Sequence, residues 1–305
     1  MANHTPISGA SDGAGGYLIP EEFGQTLMDG LRRESAVAGL ARVDRVGARV
    51  KNYSIYSGRP AVDFVEESGE KPATGAEFGE VTVNIKKLAA IVIYTEEILE
   101  DAKEDPRRLV NADVIAAFAD KIDAHALGYA AGSPISGSFD SELCNTTASA
   151  EIGTTGDAFA AALSNSIEDV ESCGYRPNGI VAASDVRAHL RDARNTVETT
   201  QPVYTAGFSR EPDSLYGLPV SYSSNLDGFG TGADQVAAVV GDWSHAILAV
   251  RKDITIRTSD SATVTVGGTP RNLWQRNETA VLWEMRVGFA VHDLNRAFSK
   301  VTNAV

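Results

Sequence analysis

Few residues in this chain are spaced for chemistry. Gly9-Ala10-Ser11-Asp12-Gly13 matches G-x-S-x-G, the turn that presents a nucleophilic serine. That chemistry needs a strand before the turn and a helix after it, to hold the serine on a strained elbow. Here the motif lies in a polar, glycine-rich stretch, Met1 to Gly16, and reads as chance in Gly/Ser-rich sequence. A hydrolase resting on Ser11 is therefore a minor alternative. No G-x-x-x-x-G-K-[ST], H-E-x-x-H or C-x-x-C occurs. His4, His125, His189, His245 and His292 follow no ligand spacing, so neither a metal nor a cofactor is expected. Cys144 and Cys173 fit neither a disulfide framework nor a zinc site, and read as reduced, partly buried thiols.

Charge narrows the field further. The chain has 305 residues, with 27 basic against 41 acidic, a net charge of −14. A generic DNA or RNA binder needs a net basic surface, so that class is not expected. The basic clusters are Arg32-Arg33, then Arg42, Arg45, Arg49 and Lys51, then Arg187, Arg191 and Arg194. They read first as solvated faces paired with carboxylates, and second as contacts to a phosphate backbone or an acidic neighbouring chain. Hydrophobic residues at 43% suffice for a core. No apolar run approaches the ~20 residues of a membrane span, and the N-terminus lacks the pattern of a signal peptide.

The elements that must position any site are interleaved without regular βαβ units, which predicts an α+β class. Glu21 to Arg33 suggests a short amphipathic helix. Residues 43–95 read as two extended arms around a polar tip. Val81, Val83 and Ile85 alternate with Thr82, Asn84 and Lys86, the period of a strand. The tip carries Asp63, Glu66, Glu67, Glu70 and Glu77. A hairpin this long is marginal alone and should lean on another chain. Asp105-Pro106 starts a long helix to about Ala131, striped by Ile115, Phe118, Ile122, Ala126 and Tyr129. Asp113, Asp120 and Asp123 fall mostly off that stripe. A helix over 157–171 follows, striped by Phe159, Leu163, Ile167 and Val170. Next come a buried strand at 179–183 and a helix reaching Arg194. Strands are expected at 218–223, 236–241, 246–250, 254–258, 263–266, 279–283 and 287–292.

In that order the features resemble a tailed-phage major capsid protein of the Hong Kong 97 fold. Gly15-Gly16-Tyr17-Leu18-Ile19-Pro20 resembles the start of the family's N-terminal arm, placed at 1–42. Residues 43–95 resemble its extended loop. Residues 96–177 resemble a peripheral domain with a spine helix. Residues 178–273 resemble the axial domain, including Leu215-Tyr216-Gly217-Leu218-Pro219-Val220 and Val239-Val240-Gly241-Asp242-Trp243. Trp283-Glu284-Met285-Arg286-Val287-Gly288-Phe289 resembles the return to the peripheral domain, within 274–305.

The resemblance implies a structural protein rather than an enzyme. Copies would form pentamers and hexamers of an icosahedral shell enclosing double-stranded DNA without specific binding. Assembly would take place in the bacterial host cytoplasm, with a separate scaffolding protein, a portal and a possible decoration protein. No membrane partner is implied. An encapsulin-type compartment of the same fold is the alternative. Some family members also crosslink their shells covalently, through a loop lysine, a neighbour's asparagine and a glutamate from a third subunit. The matching positions are Lys71 (with Pro72 and Phe78), Asn277 and Glu284 (with Arg286). The plainer reading makes Lys71 a solvated charge, Asn277 a turn residue and Glu284 a salt-bridge partner of Arg286.

Overall fold

The structure is a computed structural model. It describes residues 29–56, 62–67, 69–71, 73, 75, 78–101, 106–130, 133–134, 139–152, 158–192, 214–226 and 235–303. Ser11, His4, Pro72, Glu77, Asp105 and Arg194 lie outside the described residues. The class is mixed α and β, as expected.

Residues 29–34 are helical, with Leu31 buried between half-buried Gly30 and exposed Arg32. Helix α1 (Ala36–Leu40) follows, then strands β1 (Arg42–Arg45), β2 (Val50–Tyr56), β3 (Phe78–Asn84) and β4 (Lys86–Thr95). Helices α2 (Glu96–Asp101) and α3 (Pro106–Leu127) come next. Two-residue strands β5 (Tyr129–Ala130) and β6 (Ser133–Pro134) precede β7 (Ser149–Ile152), α4 (Ala158–Ser172), β8 (Gly179–Ala183) and α5 (Val186–Asp192). The remaining strands are β9 (Ser214–Leu215), β10 (Leu218–Ser223), β11 (Val236–Gly241), β12 (Ala246–Ser259), β13 (Thr263–Val266), β14 (Thr269–Asn272), β15 (Glu278–Val291) and β16 (Phe298–Asn303). Helix α6 (Leu294–Ala297) lies between the last two.

The chain divides into two compact units. The first holds the described residues up to Gly39, with Lys87–Asp123 and Lys252–Val287. The second holds Leu40–Lys86, Ala124–Arg251 and Gly288–Val305.

The second unit is organised by a six-stranded sheet of order β7-β16-β11-β8-β10-β9. β8 is antiparallel to β11, with Val181 opposite Val239, and parallel to β10, with Val181 opposite Ser221. Every residue of β8 and β11 is buried, which suits their unbroken apolar sequences. Helix α4 lies against β7, β11 and β16. Its expected stripe buries Phe159, Leu163 and Val170, while Ile167 is half-buried. Trp243 and Phe298, both fully buried, pack edge to face at 5.4 Å. Gly241 is required here, because a Cβ would collide with the Phe298 ring.

In the first unit the later part of β12 and the earlier part of β15 share a sheet with β4. Helix α3 is shorter than its sequence pattern suggests. It ends at Leu127, because Gly128 takes a left-handed φ of 84° and its N–H bonds back to the carbonyl of Ala124. Two further expectations are corrected. Residues 246–250 and 254–258 form one strand, and 279–283 and 287–291 form another, which ends before His292. The polar interruption Glu284-Met285-Arg286 continues the alternation, since Met285 is buried and its neighbours half-buried. Strands β7 and β16, which complete the large sheet, have no counterpart among the expected elements.

Asp123 also departs from expectation. It is buried, and its carboxylate accepts hydrogen bonds from the Ser35 hydroxyl at 2.5 Å and the backbone N–H groups of Ala36 and Val37 at 2.8 and 3.1 Å. The Ser35 oxygen in turn accepts from the Ala38 N–H at 2.9 Å. Asp123 and Ser35 together satisfy the free N–H groups at the start of α1.

Candidate functional site

The most conspicuous feature of the second unit is the hairpin β2–β3, paired in antiparallel register from Val50 opposite Asn84 to Tyr56 opposite Phe78. Its root is anchored from several sides. Val83 and Ile85 enter a core cluster with Val46, Ala249 and Ala290. Asp140 accepts from the Asn84 backbone N–H at 2.6 Å and side-chain amide at 2.9 Å. The Tyr53 hydroxyl donates to Asp44 at 2.8 Å, and Lys51 reaches the same carboxylate at 3.4 Å. The Tyr53 bond is the main cause that holds the Asp44 carboxyl below its ordinary range. Gly288 lets β15 pass under the hairpin, since a Cβ there would stand 2.7 Å from the Asn84 carbonyl.

Beyond the root, burial fades. Along β3 it falls from buried Val83 through half-buried Val81 to exposed Phe78. In the described part of the tip, Val62 is 89% exposed and Phe64 fully so, among Asp63, Glu66, Glu67 and Glu70. Lys71 is exposed on the same tip. Apolar side chains thus extend outward on a firmly anchored stalk.

The other candidates belong to the first unit. Asn277 lies in a turn just before β15, as its plainer reading has it. It takes a left-handed conformation, φ 49° and ψ 53°, between a 3₁₀ turn (Trp274–Arg276) and β15. Asparagine tolerates that conformation better than most side chains. The turn is held on both sides. Leu273 is fully buried and its carbonyl accepts from the N–H groups of Arg276 and Glu278. The Asn277 carbonyl accepts from the Glu96 N–H at 2.9 Å. Arg271 donates two hydrogen bonds to buried Glu278, which hold that carboxyl below its ordinary range.

Glu284 is on β15, with its side chain 13% exposed. It pairs with Arg286 at 3.4 Å and Lys252 at 3.9 Å. The salt bridge to Arg286 is the plainer of its two expected roles. Ala280, Val281 and Trp283 are buried in their own chain. Trp283 donates its indole N–H to Asn111 at 3.2 Å.

Among the described residues, no three His, Cys, Asp or Glu side chains gather as a metal-binding group. His245 and His292 do meet, with rings 5.6 Å apart, which their separation in sequence conceals. Asp293 accepts from Tyr175 at 2.6 Å beside them. Both cysteines are free; burial pushes the Cys144 thiol up to about 12. Arg187 lies 4.2 Å over the Tyr222 ring, so this member of the third basic cluster is more than a solvated charge. No described helix is long and apolar enough to cross a membrane.

Comparison with known proteins gives this architecture a context. The major capsid protein of Staphylococcus phage 80alpha is 23% identical over 292 residues, covering 94% of this chain and 85% of that protein. A chain in the solved structure of Gordonia phage Cozz superposes with a TM-score of 0.73 at 20% identity, covering 89% of this chain and 87% of its own. One from Mycobacterium phage Adephagia gives 0.71 at 18% identity, covering 97% and 98%. At such identities the structures speak for the fold alone. Residues 15–302 match the description Phage capsid family. Because that match runs through the hairpin, both units and nearly the full length, this chain belongs to the phage capsid family.

Proposed function

We propose that this chain is the major subunit of a phage head, many copies of which build an icosahedral shell of pentamers and hexamers around double-stranded DNA. The observation that carries the reading is the family match over residues 15–302. The exposed apolar tip of an anchored hairpin supports it, because such a surface is a binding surface waiting for cover. In this reading the fold is that of Hong Kong 97, the residues before 43 are the arm, and β2–β3 forms the extended loop. Helix α3 is the spine, and residues within 178–273 meet their copies around the five- and six-fold axes. Arm and loop lie on adjacent subunits. Scaffolding protein, portal and any decoration protein are further partners, and assembly takes place in the host cytoplasm. Net charge of −14 suits a wall that must not hold DNA tightly. The test is negative-stain electron microscopy of protein co-expressed with its neighbouring genes. Closed polyhedral shells are expected, and nucleic acid within them separates a phage head from an enzyme-filled compartment. Uniform small particles from every such combination would overturn the reading.

A second, finer proposal concerns Lys71, Asn277 and Glu284. It is favoured by the exposure of both Lys71 and Asn277. The Lys71 amine of one copy would attack the side-chain carbonyl of Asn277 in another. An isopeptide bond forms and ammonia leaves, with Glu284 of a third copy relaying the proton. For that, Glu284 must exchange its hold on Lys252 and Arg286. Boiling reduced particles in detergent decides it. A ladder lost on Lys71→Ala or Asn277→Ala is expected; a single band near 32.3 kDa would sink the idea.

A further inference from the structure

Two kinds of contact hold the root of the β2–β3 hairpin. One is apolar: Val83 and Ile85 are buried with Val46, Ala249 and Ala290. Apolar contact is non-directional, so it fixes where the root sits better than the way the stalk points. The other is polar and lies in the open. Asn84, between those two buried residues, and Asp140 are both exposed, 56 residues apart in sequence. The Asp140 carboxylate accepts from the Asn84 backbone N–H through Oδ2 at 2.6 Å and from its side-chain amide through Oδ1 at 2.9 Å. Two bonds to one residue fix an orientation as well as a distance, and the charged acceptor strengthens both.

Both partners of this clamp are themselves held. Next to Asp140, Phe139 is buried, its ring 6.1 Å from Phe289 and 6.2 Å from His125. The Asp140 N–H donates to the Phe289 carbonyl at 3.4 Å. Phe289 follows Gly288, the residue that lets β15 pass beneath the Asn84 carbonyl. On the hairpin side, Asn84 forms the last ladder pair with Val50. Just beyond it, the Ile85 N–H donates to the Arg49 carbonyl at 2.9 Å. From Asn84 the paired strands run out to Phe78, a lever of ~20 Å at ~3.4 Å per residue. A small rotation at Asn84 therefore becomes a large displacement at the far end.

We infer that Asp140 is the positioning residue of the hairpin: the buried cluster is its pivot, and the Asp140–Asn84 clamp sets the direction in which it leaves the second unit. Because both partners of the clamp are open to water, it can release without unfolding the pivot. The consequence for assembly rests on the shell-subunit reading. In a closed shell the direction of each stalk governs the angle between neighbouring copies, so the clamp governs how uniform the curvature is.

The first readout needs no shells. Spin labels at Glu80→Cys on β3 and Glu171→Cys on α4, both exposed sites of the second unit, report the hairpin's direction by double electron–electron resonance of the full chain. Cys173→Ser removes the accessible native thiol, and Cys144 is buried. With the clamp intact, one narrow distance distribution is expected. Asp140→Ala should at least double its width. Asp140→Asn alone should broaden it too, because it sets one amide against another. Asn84→Asp combined with Asp140→Asn reverses the side-chain bond and keeps an oxygen for the N–H of position 84. That exchange should return the width to the parent's, a repair that a merely structural loss would not show. In chains co-expressed with the neighbouring genes, Asp140→Ala should give shells of mixed diameter by electron microscopy, and the exchanged pair shells of one diameter. An unchanged width in Asp140→Ala, or an exchanged pair as broad as Asp140→Asn, would overturn the inference and leave the shell reading intact. Uniform shells from every variant would overturn the link to curvature alone. Failure of the parent to make shells would overturn the shell reading, while the distances would still decide whether Asp140 positions the hairpin.

Discussion

The six-stranded sheet and the β2–β3 hairpin belong to one unit, yet they treat their apolar residues in opposite ways. Strands β8 and β11 bury every residue, between flanking strands and helix α4. The hairpin buries only its root, and from Val81 outward its apolar side chains emerge. The sheet completes its own interior. The hairpin leaves its apolar side chains on display. Sequence pattern matches this division: continuous apolar runs build the sheet, and alternation beside acids builds the hairpin.

The largest effect follows from removing the displayed surface altogether. Deleting residues 57–80 should leave the six-stranded sheet, its helix and the root residues Val83 and Ile85 in place. A soluble, cooperatively melting protein is expected that forms no closed shells, by electron microscopy and light scattering. Normal shells from that deletion would break the comparison, because the hairpin would then be ornamental.

A matched pair of phenylalanines sharpens it. Phe298 is fully buried against Trp243, and Phe64 is fully exposed. Phe298→Ala should destabilise the monomer by about 3–5 kcal/mol, the cost of a large core cavity. Phe64→Ser should move stability by no more than about 0.5 kcal/mol, while still lowering shell yield. Urea unfolding read by fluorescence measures both. Equal losses of stability would mean that the tip packs on its own chain.

Much of this is legible in the sequence, and the exceptions share a cause. The buried strands over 179–183 and 236–241 announce themselves by unbroken apolar runs. The hairpin is visible from Val81, Val83 and Ile85 and from its acidic tip. Strand β16 escapes notice because Phe298 to Asn303 has only two apolar residues, Phe298 and Val301, three apart rather than alternating, and follows directly on α6. Its place in the sheet depends on β7 and β11, which lie far away in sequence. Of the crosslinking candidates, Glu284 lies on a strand and Asn277 sits in a turn, where its plainer reading puts it. The hydrogen bond from the Glu96 N–H to the Asn277 carbonyl is not legible, because the two residues lie far apart in sequence. Asp123 is hidden by the same kind of long-range partnership, since the helix pattern alone places it away from the apolar stripe.

Asp123 extends the comparison to the first unit, where a charge-bearing group lies inside. Burial raises its pKa from the ordinary 3.8 to about 6, against the opposing pull of Ser35, Ala36 and Val37. The folded chain therefore binds more protons here than the unfolded chain between those two values. This group's contribution to stability is fully present below about pH 3.8 and is lost as pH rises through about 6. A rise of that size corresponds to at most about 3 kcal/mol. Asp44 and Glu278, with lowered values, slope the other way. The difference between the parent chain and Asp123→Asn isolates the one group. Urea unfolding at pH 4.5 and pH 7 should show the parent's advantage over the variant larger at pH 4.5. An advantage equal at both pH values would mean that the three donors at the start of α1 keep Asp123 ionised throughout. The first unit would then be seen to stabilise a buried charge with its own backbone, closing its interior as completely as the six-stranded sheet closes the second.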